Sequence, residues 1–230
     1  MSLRLAIDAT SDRLSIAADL NGGATESAEL QGARRHAGAL LPLIDDVLGR
    51  IGASARDVTT IVVADGPGSF TGIRVAFAAA KALAAEGAVL MTVPSLMVRA
   101  AEGVGRNERV LAVSSALRGE LYAGLWRFDL PHQVEMIMPP RTITPRDIPS
   151  LPAFDRAIGD GPEDFLRALG ATRAWPEAAT LLRLAEVPGA VRTIDTPREF
   201  EPQYGRPAEA AAKWEREHGR PLPDSPRHAG

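Results

Sequence analysis

Apolar and polar positions in the first half of the chain follow two periods. Leu3 to Asp8 is apolar apart from Arg4 and predicts a buried strand. Asp12-Arg13 predicts a turn, and Leu14 to Leu20 a second strand closed by Asn21-Gly22-Gly23, a tight-hairpin signal. A third strand is predicted around Ala24 to Leu30. The period then becomes helical: Leu40, Ile44, Val47 and Ile51 recur on one face, with Leu41 and Leu48 beside them and Leu43 widening it. Pro42 either kinks this helix or sits in its first turn, and Asp45 and Asp46 favour a start near Leu41 through the helix dipole. Strand Thr60 to Asp65, a glycine loop, a helix from roughly Thr71 to Glu86, strand Ala88 to Val93 and a short helix after Pro94-Ser95 follow.

The second half opens in the same order. Arg109 to Ser114 predicts a strand, Arg118-Gly119 a turn, Glu120 to Phe128 a strand and Val134 to Met138 another, so the element order repeats without a repeat in letters. Pro139 to Pro152 is proline-rich and predicts an irregular excursion. Arg156 to Gly161 reads as a short strand ending in a turn, with helices near Pro162 to Leu169 and Pro176 to Glu186. Gly219 to Gly230 combines proline and charge with no apolar period and predicts a disordered tail. The expected division is a lobe at 1–104, a second at 105–218 and the tail at 219–230.

Composition narrows the chemistry. The chain has 230 residues, 45% of them hydrophobic, enough for one large domain or two modest lobes. A net charge of −3 gives no global basic field, so binding RNA alone through phosphate neutralisation is disfavoured. The absence of cysteine removes disulfides, thiolate zinc sites and a cysteine nucleophile. An acidic residue at Asp8 comes too early for a signal peptide, and no apolar run approaches the roughly 20 residues of a membrane span. A soluble cytoplasmic protein is expected.

Asp65-Gly-Pro-Gly-Ser-Phe-Thr-Gly-Ile-Arg74 lies between a strand and an alanine-rich helix. Unpaired N–H groups at the helix start point into the loop's concavity, a place to hold an anion or a partner's side chain. A tight strand-to-helix turn would also account for the glycines and proline. The spacing of Gly66, Gly68 and Gly72 is one residue longer than a dinucleotide fingerprint, and no lysine–serine or lysine–threonine pair follows. Lys81 lies more than two turns into the helix, too far to serve a phosphate loop. Thr71 breaks the nucleophile-elbow pattern around Ser69, so Ser69 or Thr71 is expected to cap the helix. If Gly68 and Gly72 are required, the backbone there needs positive φ or close approach. The alanines of the helix leave little bulk on any face, which suits packing on its own sheet or against a partner's helices.

This loop motif, with His36-Ala-Gly-Ala-Leu-Leu-Pro-Leu-Ile-Asp45 and Leu5-Ala-Ile-Asp-Ala-Thr-Ser11, resembles the bacterial TsaB family, also called YeaZ. The resemblance is close from about Leu3 to Ala101, weaker from Arg109 to Phe128 and faint at Glu201-Pro-Gln-Tyr-Gly-Arg-Pro207. It implies an α/β fold of the ASKHA (actin, sugar kinase, Hsp70-like) type, with two tandem RNase H-like βββαβα lobes, and the repeated element order agrees. It implies a non-catalytic scaffold subunit of tRNA threonylcarbamoyladenosine synthesis. Such a subunit binds and activates a TsaD-type catalytic subunit that modifies the adenosine beside the anticodon of ANN-decoding tRNAs. A TsaE-type ATPase joins the complex, and tRNA is met only through it. The isolated chain is expected to carry no cofactor; ATP or ADP at the complex interface, and a homodimer of the chain alone, are compatible with the resemblance. Its partner-binding residues would be His36, Leu40, Leu43, Ile44, Val47, Ser69, Phe70, Arg74 and Phe77, with Gly66, Pro67, Gly68, Thr71 and Gly72 shaping the loop.

A kinase or ATPase of the same fold is the competing reading. Asp8 stands where nucleotide-binding members of the superfamily keep a catalytic or metal-binding carboxylate, with Thr10 and Ser11 able to donate to phosphate as a vestigial nucleotide site. The following turn lacks the glycine of a phosphate hairpin, and its residues can equally cap their own backbone. Where similar proteins carry an acidic residue in the second lobe, this chain has Ser115, while Arg118, Gly119, Glu120 and Tyr122 match. His36 has no second histidine at metal-ligand spacing, so no metal is expected and His36 reads as a helix-start or interface residue.

Overall fold

The computed structural model describes residues 2–32, 36–116 and 119–204. The first sheet contains β1 (Leu3–Asp8), β2 (Arg13–Leu20), β3 (Thr25–Gln31), β4 (Thr60–Asp65) and β5 (Val89–Pro94). The second contains β6 (Glu108–Ser115), β7 (Leu121–Asp129), β8 (Gln133–Ile143), β9 (Arg156–Gly159) and β10 (Thr172–Arg173). A last strand, β11 (Arg192–Thr193), returns to the first sheet, whose order is β11-β5-β4-β1-β2-β3; the second runs β10-β9-β6-β7-β8. In each sheet the first strand is antiparallel to the second and parallel to the fourth, so the second lobe repeats the wiring of the first. The helices are α1 (His36–Arg50), α2 (Phe70–Ala85), α3 (Ser95–Ala100), α4 (Glu163–Leu169) and α5 (Ala178–Leu184).

Strand alternation distributes side chains over three cores. Leu3, Leu5, Ile7, Ile16, Ile61 and Val63 face outward from the first sheet onto α1 and α2. The opposite face carries smaller residues, Ala6, Ala17, Val62 and Ala64, which let α3 and α5 approach closely and meet Val110, Ala112, Trp126 and Phe128 of the second sheet. Leu111, Val113 and Leu121 face away, onto α4. Both lobes therefore share one central core. Because α5 packs on β1 and β2, and β11 pairs with β5, the stretch 105–218 contributes to both lobes.

Hairpin β2–β3 turns through Asn21 and Gly22 with φ of 56° and 69°, the geometry the Asn-Gly pair predicts. Two departures have simple causes. Helix α1 starts at His36, so Pro42 lies inside it; Gly38 and Pro42 are both exposed, and the hydrogen bond lost to proline is lost on the wet side. Strand β8 continues through Pro139 and Pro140 to Ile143, where an irregular excursion is predicted, because it is an edge strand and needs no donor on its outer side. The predicted tail at 219–230, together with Arg118, Lys213, His218, His228 and Gly205-Arg-Pro207, lies outside the described residues.

Candidate functional site

At the end of β1 the chain turns through Ala9 to Asp12, and the residues of that turn bond one another. Asp8 Oδ1 accepts from the Thr10 backbone N–H and from the Thr10 hydroxyl, both at 2.9 Å. The Ser11 hydroxyl accepts from the Arg13 amide at 3.1 Å. Asp8 is fully buried, and its Oδ2 has no partner. Burial therefore pushes the Asp8 carboxyl up to about 6, against the hydrogen bonds from Thr10 and the attraction of Arg99. The residues considered as a vestigial nucleotide site thus lie in one turn and bond largely within it, Asp8 Oδ2 alone being left without a partner.

The glycine loop sits on this turn. Ser69 N donates to the Thr10 carbonyl at 2.7 Å, and the Ser69 hydroxyl accepts from Gly72 N at 3.2 Å, capping α2. A side chain at Gly68 would begin 2.4 Å from the Thr10 carbonyl oxygen, and one at Gly72 would begin 1.9 Å from that of Ala9. Neither glycine has positive φ. Close backbone approach is what requires them. On the other side, a Cβ at Gly66 would lie 1.7 Å from the Gln203 carbonyl oxygen. Asp65 Oδ1 accepts from Gly66 N at 3.0 Å and from Gln203 N at 2.7 Å, while burial raises its pKa. The Ser95 hydroxyl, at the start of α3, donates to the Pro67 carbonyl at 2.6 Å. The concavity predicted to receive an anion or a partner's side chain is lined by the chain's own carbonyls.

Between the lobes Arg99, buried on α3, pairs with Asp160 just after β9 and donates to the Ala174 carbonyl at 3.0 Å. Asp160 occupies in the second lobe the position of Asp65 in the first. The sequence repeats with the topology: Asp65-Gly-Pro-Gly-Ser-Phe70 joins β4 to α2, and Asp160-Gly-Pro-Glu-Asp-Phe165 joins β9 to α4. This corrects the expectation of a duplication without letters. Sequence reasoning missed both the repeat and Arg99; the shared Asp-Gly-Pro was the signal available.

The residues expected to bind a partner separate into two groups. Leu40, Ile44, Val47 and Phe77 are buried against the first sheet, and His36 is buried at the start of α1 with Nε2 3.4 Å from the Asp12 carbonyl oxygen. The four apolar residues belong to the core, because helical periodicity marks the face a helix turns to its own sheet, and His36 is buried beside the Asp12 turn. Leu43, Ser69 and Phe70 are half-buried, and Arg74 is exposed with its guanidinium 5.4 Å from the Phe70 ring centroid. Leu41, off the periodic stripe, is 62% exposed and is the large apolar residue that α1 offers to solvent. On α2 the exposed residues are Thr71, Arg74, Ala78, Ala82, Ala85 and the cap Glu86. Ser115, at the end of β6, is exposed. Among the described residues no three histidine, aspartate or glutamate side chains converge on a metal site, and no helix is long and apolar enough to cross a membrane.

Two sheets wired alike, each starting with an antiparallel hairpin and closed by parallel strands, define an α/β protein of the ASKHA class. Residues 30–148 match the family model described as TsaD: tRNA N6-adenosine threonylcarbamoyltransferase. The chain is 31% identical over 198 residues to the tRNA threonylcarbamoyladenosine biosynthesis protein TsaB of Escherichia coli K12, covering 80% of this chain and 79% of that protein. It is 28% identical over 197 residues to TsaB of Bacillus subtilis 168, covering 79% and 84%. Among solved structures, YeaZ from Pseudomonas aeruginosa superposes with a TM-score of 0.69 at 27% identity, over 80% of this chain and 91% of that one. A protein with similarity to the peptidase YeaZ from Pseudomonas aeruginosa superposes at 0.76 and 26% identity, over 90% and 100%. The chain belongs to the TsaB family.

Proposed function

We propose that this protein is a non-catalytic subunit in tRNA threonylcarbamoyladenosine synthesis, the process named for its TsaB relatives. The observation that carries the reading is the 31% identity to the Escherichia coli TsaB protein over both lobes. In this reading the protein docks a TsaD-type catalytic subunit through the outer surfaces of α1 and α2. Leu41 is the exposed large apolar residue that α1 brings to that surface, Leu43 is half-buried beside the core, and the small residues of α2 admit a close helix. A TsaE-type ATPase joins the assembly, ATP or ADP binds where the subunits meet, and tRNA is reached only through the complex. Packing supports a scaffold role: the turn after Asp8 bonds its own backbone, and the glycine loop is seated on Thr10 and Gln203.

Co-expression with a TsaD-type subunit, followed by size-exclusion chromatography with mass determination, tests the partnership. A stable heterodimer is expected. Leu41→Arg places a charge at an already exposed position, so the isolated protein stays folded while the complex loses several kcal/mol of binding. Association that survives both Leu41→Arg and Leu43→Arg would move the interface elsewhere. ATP turnover by the isolated chain, abolished in Asp8→Ala, would replace the scaffold reading with a catalytic one.

A further inference from the structure

Arg198 to Tyr204, the stretch that follows β11, is attached along one side of α2. Lys81 Nζ donates to the Arg198 carbonyl at 3.3 Å, and Phe200 stacks on Phe77 with centroids 5.4 Å apart. Gln203 N donates to Asp65 Oδ1, and the Tyr204 ring lies 4.5 Å from that of Phe70. The Arg192 guanidinium covers Phe200 from β11 at 5.7 Å, and Pro202 is buried. Residues 70, 77 and 81 share one side of α2 at helical spacing, while Thr71, Arg74, Ala78, Ala82 and Ala85 form the neighbouring exposed stripe. Helix α1 also packs on α2. The contacts therefore follow the helix from the glycine loop to the start of its fourth turn, and the Gly66 backbone makes room for the closest of them.

We propose that Arg198–Tyr204 is a positioning strap. Seated on α2, it fixes the glycine loop and the first helical turn, and it forms a wall beside the α2 stripe where a partner helix docks. A backbone amide bonded to a carboxylate and two ring pairs hold it, so the seat recognises an extended aromatic segment. The partner-docking part rests on the function proposed above; the ordering of the loop does not.

The test uses the full chain with Phe200→Ala and Tyr204→Ala combined. Hydrogen exchange is followed at the amides of residues 68–74, together with association to a TsaD-type subunit. Loss of both ring pairs is expected to speed exchange there by roughly tenfold or more, while β1 and β4 keep their protection. Association is expected to weaken by a similar factor. Tyr204→Phe, which keeps the ring, leaves both readouts unchanged. If the double variant loses its cooperative melt, Tyr204→Ala alone removes the half-buried ring and gives the same comparison. Trypsin cleavage after Arg198 reports release of the strap. Released strap with unchanged loop exchange overturns the proposal, and faster exchange with unchanged association overturns its docking part. A wild-type chain that does not bind the TsaD-type subunit defeats the function reading instead, and the exchange result then decides the strap alone.

Discussion

The two Asp-Gly-Pro turns begin alike and are used differently. In the first lobe, Gly66, Gly68 and Gly72 let two backbone segments, the Ala9–Thr10 turn and Gln203, come against the loop, and Asp65 accepts two amides. In the second, Glu163 and Asp164 stand where the first has Gly68 and Ser69, both are exposed, and Asp160 receives the buried Arg99 instead. The aromatic residue closing each motif differs most. Phe165 is 4% exposed in the core beneath α4, whereas Phe70 stays half-buried under Tyr204. A shared turn thus fixes the strand-to-helix geometry, and what surrounds it decides whether it becomes a seat for backbone or an anchor for charge.

Removing the anchor is expected to have the largest effect. Arg99→Met leaves Asp160 without its partner and removes the attraction of Arg99 from buried Asp8, costing about 4 kcal/mol in urea unfolding. A loss below about 1 kcal/mol would mean that water compensates both carboxylates. Next, Phe165→Ala should cost about 3 kcal/mol and Phe70→Ala about 1, since only the former empties a core site. Equal losses would erase the distinction between the two aromatics.

Glycine substitutions probe the seats. Gly72→Ala should cost about 2 kcal/mol, because its Cβ meets a backbone oxygen that cannot rotate away. Gly161→Ala should cost about half as much, since the nearest atom belongs to the Leu121 side chain. Both values come from the same urea titrations, and a larger loss at Gly161 would reverse the order of rigidity.

Asp8→Asn should give the smallest change and a pH signature. Because burial raises the folded-state pKa to about 6 from 3.8, the stability linked to this group is full below the unfolded value and is lost as pH rises through about 6. The asparagine variant loses that slope and gains on the order of 1 kcal/mol at neutral pH. The gain is less than the full shift implies, because its NH2 replaces an unpartnered Oδ2. A difference between wild type and variant that stays flat from pH 4 to 7 would contradict a raised carboxyl.

Much of the fold is legible because alternation and helical period report directly on burial. Those signals give β1, β2, β4 and α2 to within a few residues and α1 apart from its first turn, and Asn21-Gly22 gives the hairpin. The period of α1 identifies Leu40, Ile44 and Val47 as one face but cannot say whether that face meets the protein's own sheet or a partner. Burial answers that, and leaves Leu41 outside. Strands β10 and β11 are two residues each, too short for any period to register. The strap has no regular structure and is held by ring pairs distant in sequence, so no period announces it, and only the faint family likeness from Glu201 to Tyr204 marks the stretch. In the second lobe, Glu163-Asp164 in place of Gly-Ser hides the likeness of the turns, and the wiring of the sheets makes it evident.

The return of the chain to its first sheet also sets an order of events during synthesis. The inner face of that sheet, with Ala6, Ala17 and Val62, is covered by α5, whose Ala178 amide donates to the Ser15 hydroxyl at 2.9 Å. A nascent chain that has only just finished β5 therefore carries an inner face that α3 covers only in part until some ninety further residues leave the ribosome, as counted from Pro94 to Leu184. Contacts of such long sequence separation close slowly. The amino-terminal lobe is translated first and completed last, and in the interval its part-covered sheet is the surface on which a chaperone would act or aggregation would begin.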